Sequence, residues 1–401
     1  MKKLLVVVGV LLSMVAVVVL LFPNPLQRAR FAATLFSGAE QYANFNRVAD
    51  LFPTSTMAAS PNPHEFPAGA AIELPGSFSF NGGSVDVQTF LAATDTSALL
   101  VLHDGAVVYE RYQLTGGREV NWLSMSVAKS FISAGLGIAV DAGLIDIERA
   151  MSDYAPVFVG SAYDGVRVKD VLQMSSGAAW DETYSDFNSD VNRLGRVMAI
   201  GGSTTEFVAA MQREYEPGTV NRYNSGDTQA LGILLRTVTG TSVAEYLERH
   251  LWHPLGMESP GYWIIDSEGV EMAFFGLNAT ARDYAKLGEL YRNMGNWGGR
   301  RIVSADWVQA SVSADAAHLQ PGLDEDFPLG YGYQWWLPES DEGEYLAIGV
   351  YNQFIYVNPA RDLVIVKLSA FSDYATNDTA DAYREVETIE FFRAIGRALL
   401  E

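Results

Sequence analysis

The chain has 401 residues, 49% of them hydrophobic, no cysteine, and a net charge of −21. Such a length and apolar content suffice for a large buried core and exclude a disordered chain. The acidic balance excludes nucleic acid as a partner, because neutralising phosphates needs a basic surface; the lack of thiols excludes disulfides, cysteine-bound metals and a cysteine nucleophile together.

The chain begins Met1-Lys2-Lys3 and continues into an uncharged run from Leu4 to Phe22, "LLVVVGVLLSMVAVVVLLF". A helix of that length spans about 28 Å, close to the hydrocarbon core of a bilayer. The run is longer than the apolar part of a cleaved signal, about 7–15 residues, and no good Ala-x-Ala site follows it. Residues 1–23 are therefore expected to form a membrane anchor, with secretion after signal cleavage as the alternative. Lys2 and Lys3 would stay cytoplasmic and the rest would lie outside, in a bacterial periplasm; Arg28 and Arg30 on the far side oppose that orientation. Residues 24–74 are rich in Pro and Ala and read as a spacer with short ordered pieces. No later stretch is apolar enough to span a membrane.

The globular part is expected over 75–401. "SALLVLHDGAVVYERYQ" is two apolar runs around Asp104-Gly105, the signature of a type I′ hairpin. "FISAGLGIAVDAGLI" has a helical period. Residues 145–300 read mainly as helix and loop, with "SVAEYLERHLWHPLG" and "ATARDYAKLGELYRNMG" both ending at glycine. Strand-like text returns in "YGYQWWLP", "YLAIGVYNQFIYVNP" and "DLVIVKLSAF", the last two joined through Pro359 to Asp362. "EVETIEFFRAIGRALL" reads as a closing helix. Strands early and late around a helical block predict an α/β sandwich: a central antiparallel sheet built from both chain ends, flanked by helices, with an inserted mainly helical region.

Little in this text points to metal or phosphate chemistry. His250 and His253, in "HLWHPLG", lack the flanking Glu of a metalloprotease helix. There is no Gly-rich phosphate loop and no Gly-x-Ser-x-Gly elbow. One stretch does stand out. "SMSVAKSF" places Ser126 three residues before Lys129, the only lysine with a serine at that spacing. At a helix start the two side chains share a face, about 5–6 Å apart at Cβ. Serine needs a base to become a nucleophile, and a lysine among Val127, Ala128, Phe131 and Ile132 can lose its proton to burial. An N-cap serine beside a snorkelling lysine would read the same. A second stretch, Tyr223-Asn224-Ser225, sits in a loop just before another helical segment, where a phenol and a hydroxyl could join a proton network with the first pair.

These two stretches, in this order and about a hundred residues apart, resemble the serine β-lactamase and penicillin-binding protein superfamily over roughly residues 75–400. The resemblance is to its class C-like branch, and within that to 6-aminohexanoate-dimer hydrolases and related esterases. Ser126 to Lys129 matches the Ser-x-x-Lys box, and Tyr223 to Ser225 the Tyr-x-Ser/Asn box. Val168–Glu182, Thr280–Gly288, Gln334–Trp336 and Asp362–Ser369 match recurring framework text. The third box, Lys-Thr-Gly or His-x-Gly, is missing; Val350-Tyr351-Asn352 stands at its place, which argues against β-lactam processing.

The resemblance implies Ser126 as nucleophile and Lys129 as the residue that eases its deprotonation. It implies Tyr223 as general base in acylation and as proton donor to the leaving group, with Ser225 completing the network. The N–H groups of Ser126 and Gln353 would form the oxyanion hole. Tyr184, Tyr351, Asn352 and Trp335 would contact substrate. No metal or organic cofactor is implied. The expected function is a serine hydrolase acting through an acyl-enzyme on esters or linear amides. A β-lactamase or D,D-peptidase, and a non-enzymatic membrane-anchored sensor, are the alternatives. The density of aromatic residues around the expected mouth points to an uncharged, partly apolar acyl chain.

Overall fold

The computed structural model describes residues 35–36, 41–374 and 383–399. The expected anchor over residues 1–23 lies outside them. Among the described residues no helix is long and apolar enough to cross a membrane.

The main sheet has seven strands. From edge to edge they are Leu329–Tyr331, Trp336–Pro338, Tyr345–Gly349, Gln353–Asn358, Leu363–Ser369, Thr96–His103 and Ala106–Tyr112, each pair antiparallel. Both chain ends thus build one sheet, as the order of strand-like text predicts. The first hairpin turns at Asp104 and Gly105, whose φ values of 49° and 71° are the two positive angles a type I′ turn requires.

The sheet is buried on both faces, which explains why its strands read as continuous apolar runs. Along Thr96–His103, Leu100 and Leu102 face the helical region, while Leu99 and Val101 face the helices Val87–Ala93 and Glu385–Ala398. Ile355 and Val357 alternate in the same way with Phe354 and Tyr356.

One expectation gains detail and another needs correction. The helical block also carries strands: a second, four-stranded sheet runs Thr54–Met57, Gly261–Ile264, Leu277–Ala279 and Trp122–Leu123. These strands are two to four residues long, too short to show a period. Nor do residues 41–74 behave as a spacer. Thr54–Met57 pairs with Gly261–Ile264, and Phe45, Val48, Phe52, Met57 and Phe66 are buried in the large core. Phe45, Val48 and Phe52 keep a helix-like spacing over two very short helical pieces, while Met57 and Phe66 are isolated apolar side chains in Pro-rich text.

Candidate active site

The helix Ala128–Asp141 lies at the centre of the molecule, with nearly every residue buried. Its glycines let neighbours press close: a Cβ on Gly137 would sit 2.4 Å from the ring of Trp307. A short 3₁₀ turn, Met125–Val127, leads into it and presents Ser126. This turn is pinned from several sides. Ser124 N–H donates to Leu277 O at 2.8 Å, and Ser124 Oγ donates to Phe275 O at 3.3 Å. Met125 takes a φ of 47°, a left-handed conformation unfavourable for its side chain and tolerated only because the surroundings hold it. Gly349 passes so near that a Cβ there would come within 2.6 Å of Ser124 O and 3.0 Å of Ser126 N.

Lys129 is 2% exposed. Its Nζ lies 3.0 Å from Ser126 Oγ, 3.1 Å from Ser225 Oγ and 2.8 Å from Phe274 O. None of these partners is charged, so burial brings the amine from its ordinary 10.5 down to about 7, with Glu182 pulling the other way. Ser225 in turn donates to Glu182 Oε1 at 2.7 Å and from its N–H to Oε2 at 3.1 Å. Tyr184 OH donates to Glu182 Oε1 at 2.9 Å, and Trp180 Nε1 donates to Oε2. Glu182 therefore closes a chain that runs Ser126, Lys129, Ser225, Glu182.

Tyr223 precedes the helix Ser225–Thr239, whose N-cap Asn224 accepts from Asp227 N–H. Its ring stacks on Trp336 at 5.1 Å and stands 5.1 Å from Lys129 Nζ. Its phenol is held well above 10 by burial and then by Glu182, while a hydrogen bond with Ser126 opposes them.

Ser126, Tyr223, Glu182 and Tyr184 open into one cavity of about 350 Å³, closed on the sheet side by Ile348 and Val350. The structure thus brings Ser126, Lys129, Tyr223, Ser225 and Tyr184 together. It places the other expected residues elsewhere. Gln353 pairs opposite Gly349, and its fully buried side chain accepts from Trp122 Nε1 and from Ser369 N–H. The segment that passes Ser126 is Ile348-Gly349-Val350, two residues before the expected Val350-Tyr351-Asn352. Val350 and Ser126 both line the cavity. Asn352 is buried, accepts from Lys367 Nζ and bonds with Thr388 Oγ1. Trp335 packs inside the core against Tyr291 and Tyr345. Tyr351 stacks on Phe36 and contacts Phe45 rather than lining the cavity.

Sequence reading missed Glu182, although it lies two residues from Tyr184 in "WDETYSD". A carboxylate between aromatic residues in a loop looks like any solvated acid until its four donors are seen. It also missed Phe274 O, a backbone acceptor that leaves no mark in sequence.

With this geometry in place, the comparisons with known proteins are specific. The beta-lactamase family profile matches residues 87–390. A 6-aminohexanoate-dimer hydrolase of Paenarthrobacter ureafaciens is 31% identical over 82% of this chain and 85% of its own. A solved structure from Bacillus anthracis, provisionally named a 6-aminohexanoate-dimer hydrolase, superposes with a TM-score of 0.81 at 22% identity, covering 91% of this chain and 96% of that one. A family VIII carboxylesterase shares the fold more distantly, with a TM-score of 0.55 at 17% identity over 76% of this chain and 92% of its own. The chain belongs to the beta-lactamase family and is an enzyme of its hydrolase branch.

Proposed function

We propose that this protein cleaves esters or linear amides through an acyl-enzyme on Ser126. The observation that carries the reading is the 3.0 Å contact between Ser126 Oγ and a buried Lys129 Nζ that has no carboxylate partner within hydrogen-bond reach among the described residues. With a pKa near 7 this lysine is partly a free amine at neutral pH. A neutral amine has two N–H donors, which suit Phe274 O and Ser225 Oγ, and one lone pair, which suits the Ser126 proton. Lys129 thus takes that proton as Oγ attacks the carbonyl carbon. Tyr223, whose phenol is protonated at rest, gives that proton to the departing alkoxide or amine, and the phenolate is reprotonated by the Lys129 ammonium, whose Nζ stands 5.1 Å from the ring centre. The proton lost by serine leaves on the alcohol or amine. Water then repeats the sequence on the acyl-enzyme, its proton returning to Ser126.

The N–H groups of Ser126 and Val350 face the same space and would hold the oxyanion. This use of Val350 replaces Gln353, which the sheet pairing takes out of reach. The relatives named for the 6-aminohexanoate dimer and for carboxylesters support linear amides and esters as substrates. Among the described residues lining the cavity no side chain is basic, so a β-lactam carboxylate has no anchor there, and penicillins and cephalosporins should turn over poorly. A fluorophosphonate should label the protein at one serine, and mass spectrometry should find the adduct on Ser126. Equal labelling of Ser126→Ala would refute the assignment.

We further propose that Leu4–Phe22 tethers the enzyme to a membrane, supported by the length and lack of charge of that run. The full-length protein should sediment with membranes through an alkaline wash and keep Met1. A mature N-terminus beyond Phe22 would make the run a cleaved signal instead.

A further inference from the structure

The backbone of Gln353 belongs to the sheet, but its fully buried side chain reaches three separate segments. Nε2 donates to Tyr351 O at 2.9 Å and to Ser369 O at 2.6 Å, with Val350 O a further acceptor at 3.3 Å. Oε1 accepts from Ser369 N–H at 3.0 Å and from Trp122 Nε1 at 3.1 Å. Both hydrogens and both lone pairs of the amide are therefore engaged. Backbone pairing between Gln353–Asn358 and Leu363–Ser369 stops at Phe354 opposite Lys367. Past that point the carboxamide bonds the N–H and C=O of Ser369 in place of a backbone rung.

Two of those segments lead to the oxyanion donors. Val350 and Tyr351 belong to the turn after Gly349, and Trp122 stands four residues before Ser126. Left to itself the turn is unfavourable, because Tyr351 and Asn352 are both left-handed and neither is glycine. Asn352 is held by Lys367 and Thr388. Val350 and Tyr351 are held through their carbonyls by Gln353. Trp122 is fixed from other sides: it pairs with Ala279, its C=O accepts the Tyr284 hydroxyl at 2.7 Å, and its ring packs 5.5 Å from that of Phe45. The carboxamide thus joins a strained turn to a fixed strand. An oxyanion needs donors about 2.7–3.1 Å away, so a turn free to drift by a fraction of an ångström loses much of its effect.

We propose that Gln353 is a positioning residue for the oxyanion site. Its carboxamide ties the turn that carries Val350 to the strand that leads into Ser126, and so sets the separation of the two backbone donors. The role rests on the hydrolase reading above, which uses those two N–H groups. It belongs to the side chain of Gln353, whereas sequence pointed to the backbone N–H.

Two variants test it. Gln353→Met keeps the length of the side chain and removes every hydrogen bond of the amide. Trp122→Phe keeps a ring against Phe45 and removes the indole N–H, so it carries the test should the first variant fold poorly. Exhaustive labelling with a fluorophosphonate counts competent sites, and kcat for a p-nitrophenyl ester is expressed per site. Gln353→Met should lower it about tenfold or more, short of the roughly hundredfold or greater cost of deleting a whole donor. Trp122→Phe should lower it less, and the double variant little more than Gln353→Met alone. The phosphoryl oxygen of the Ser126 adduct occupies the oxyanion position, so its phosphorus resonance reports the hydrogen bonds made there. That resonance should move upfield in both variants, which a loss of stability by itself does not cause. An unmoved resonance, or kcat per site within about twofold of wild type, would overturn the role whatever the melting temperature, and would leave the hydrolase reading intact. A wild type that is labelled but cleaves no ester would sink the hydrolase reading, while the resonance would still decide the clamp. A wild type that is not labelled at Ser126 overturns both.

Discussion

Two buried lysines in this molecule share a sequence pattern and differ in everything that follows from it. Lys129 stands three residues after Ser126, and Lys286 three residues after Asp283. Lys129 sits in the first turn of its helix and Lys286 in the middle of Ala281–Arg292, and both are almost fully buried. Lys286 Nζ lies 3.0 Å from Asp283 Oδ1 and 3.3 Å from Glu258 Oε1, and donates to Gly256 O at 2.8 Å. Asp283 is satisfied as well, accepting from the N–H groups of Glu258 and Ser259 and from Thr280 Oγ1. That lysine is a charged staple between a helix and a loop. Lys129 has hydroxyls and a carbonyl instead, so its charge is uncompensated and its proton is easily lost. Burial with a carboxylate partner keeps an amine charged; burial without one lowers its pKa, at Lys129 beside a serine hydroxyl and at Lys367 away from the cavity.

The comparison can be broken most directly by Lys129→Met. Turnover should fall about a thousandfold or more, the upper range for a lost base that also activates the nucleophile. Stability should hold or rise, because a costly buried amine is gone. The sign follows from the amine pKa: the unfolded chain binds this proton up to about pH 10.5, the folded one only to about 7. Wild-type stability should therefore climb with pH between about 7 and 10.5, and that part of the slope should vanish in the variant. Lys286→Met should do the reverse, costing about 3–5 kcal/mol by leaving Asp283 buried without its cation. Denaturant melts of the two variants side by side decide the matter; equal losses would mean that the lysines are alike.

Tyr223→Phe keeps the stacking on Trp336 and removes one hydroxyl. Turnover should drop about a hundredfold, more for anilides than for esters, since an amine leaves only with a proton. Near-normal rates on both would take the phenol out of the proton path.

Glu182→Gln is a finer probe. It keeps most of the shape around Ser225 while removing the charge that holds the Lys129 pKa up. The acid limb of kcat/KM for an uncharged ester, expected near pH 7, should move to lower pH, with about a tenfold or smaller loss at the plateau. The same limb should stay in place in Glu385→Gln, whose buried carboxyl in the cavity wall also titrates near 7. Movement toward higher pH in Glu182→Gln would contradict the electrostatic link.

How much of this was legible beforehand depended on whether the signal was local. The hairpin at Asp104-Gly105, the helix after Ser126 and the closing helix at Glu385–Ala398 follow from turn chemistry and period. The short strands of the second sheet carry no such signal, and only their pairing reveals them. The segment that passes Ser126 lies two residues before the expected one for a related reason. Tyr351 and Asn352, with φ values of 63° and 70°, form a tight turn whose shape a motif match cannot supply.

Ser126, Lys129 and Tyr223 were legible as candidates in the sequence alone, and the structure brings them together, because Ser126 to Lys129 and Tyr223 to Ser225 are each contiguous and their spacing sets their local geometry. The sequence by itself also determined that one sheet would join both ends of the chain. Only the tertiary structure decided what surrounds those three residues. Glu182, Phe274 O and Val350 come from three separate segments, and their roles depend on distance, burial and the absence of a counter-ion. Electrostatic character at a buried site depends on all the neighbours at once, and neighbours distant in the chain are set only by folding.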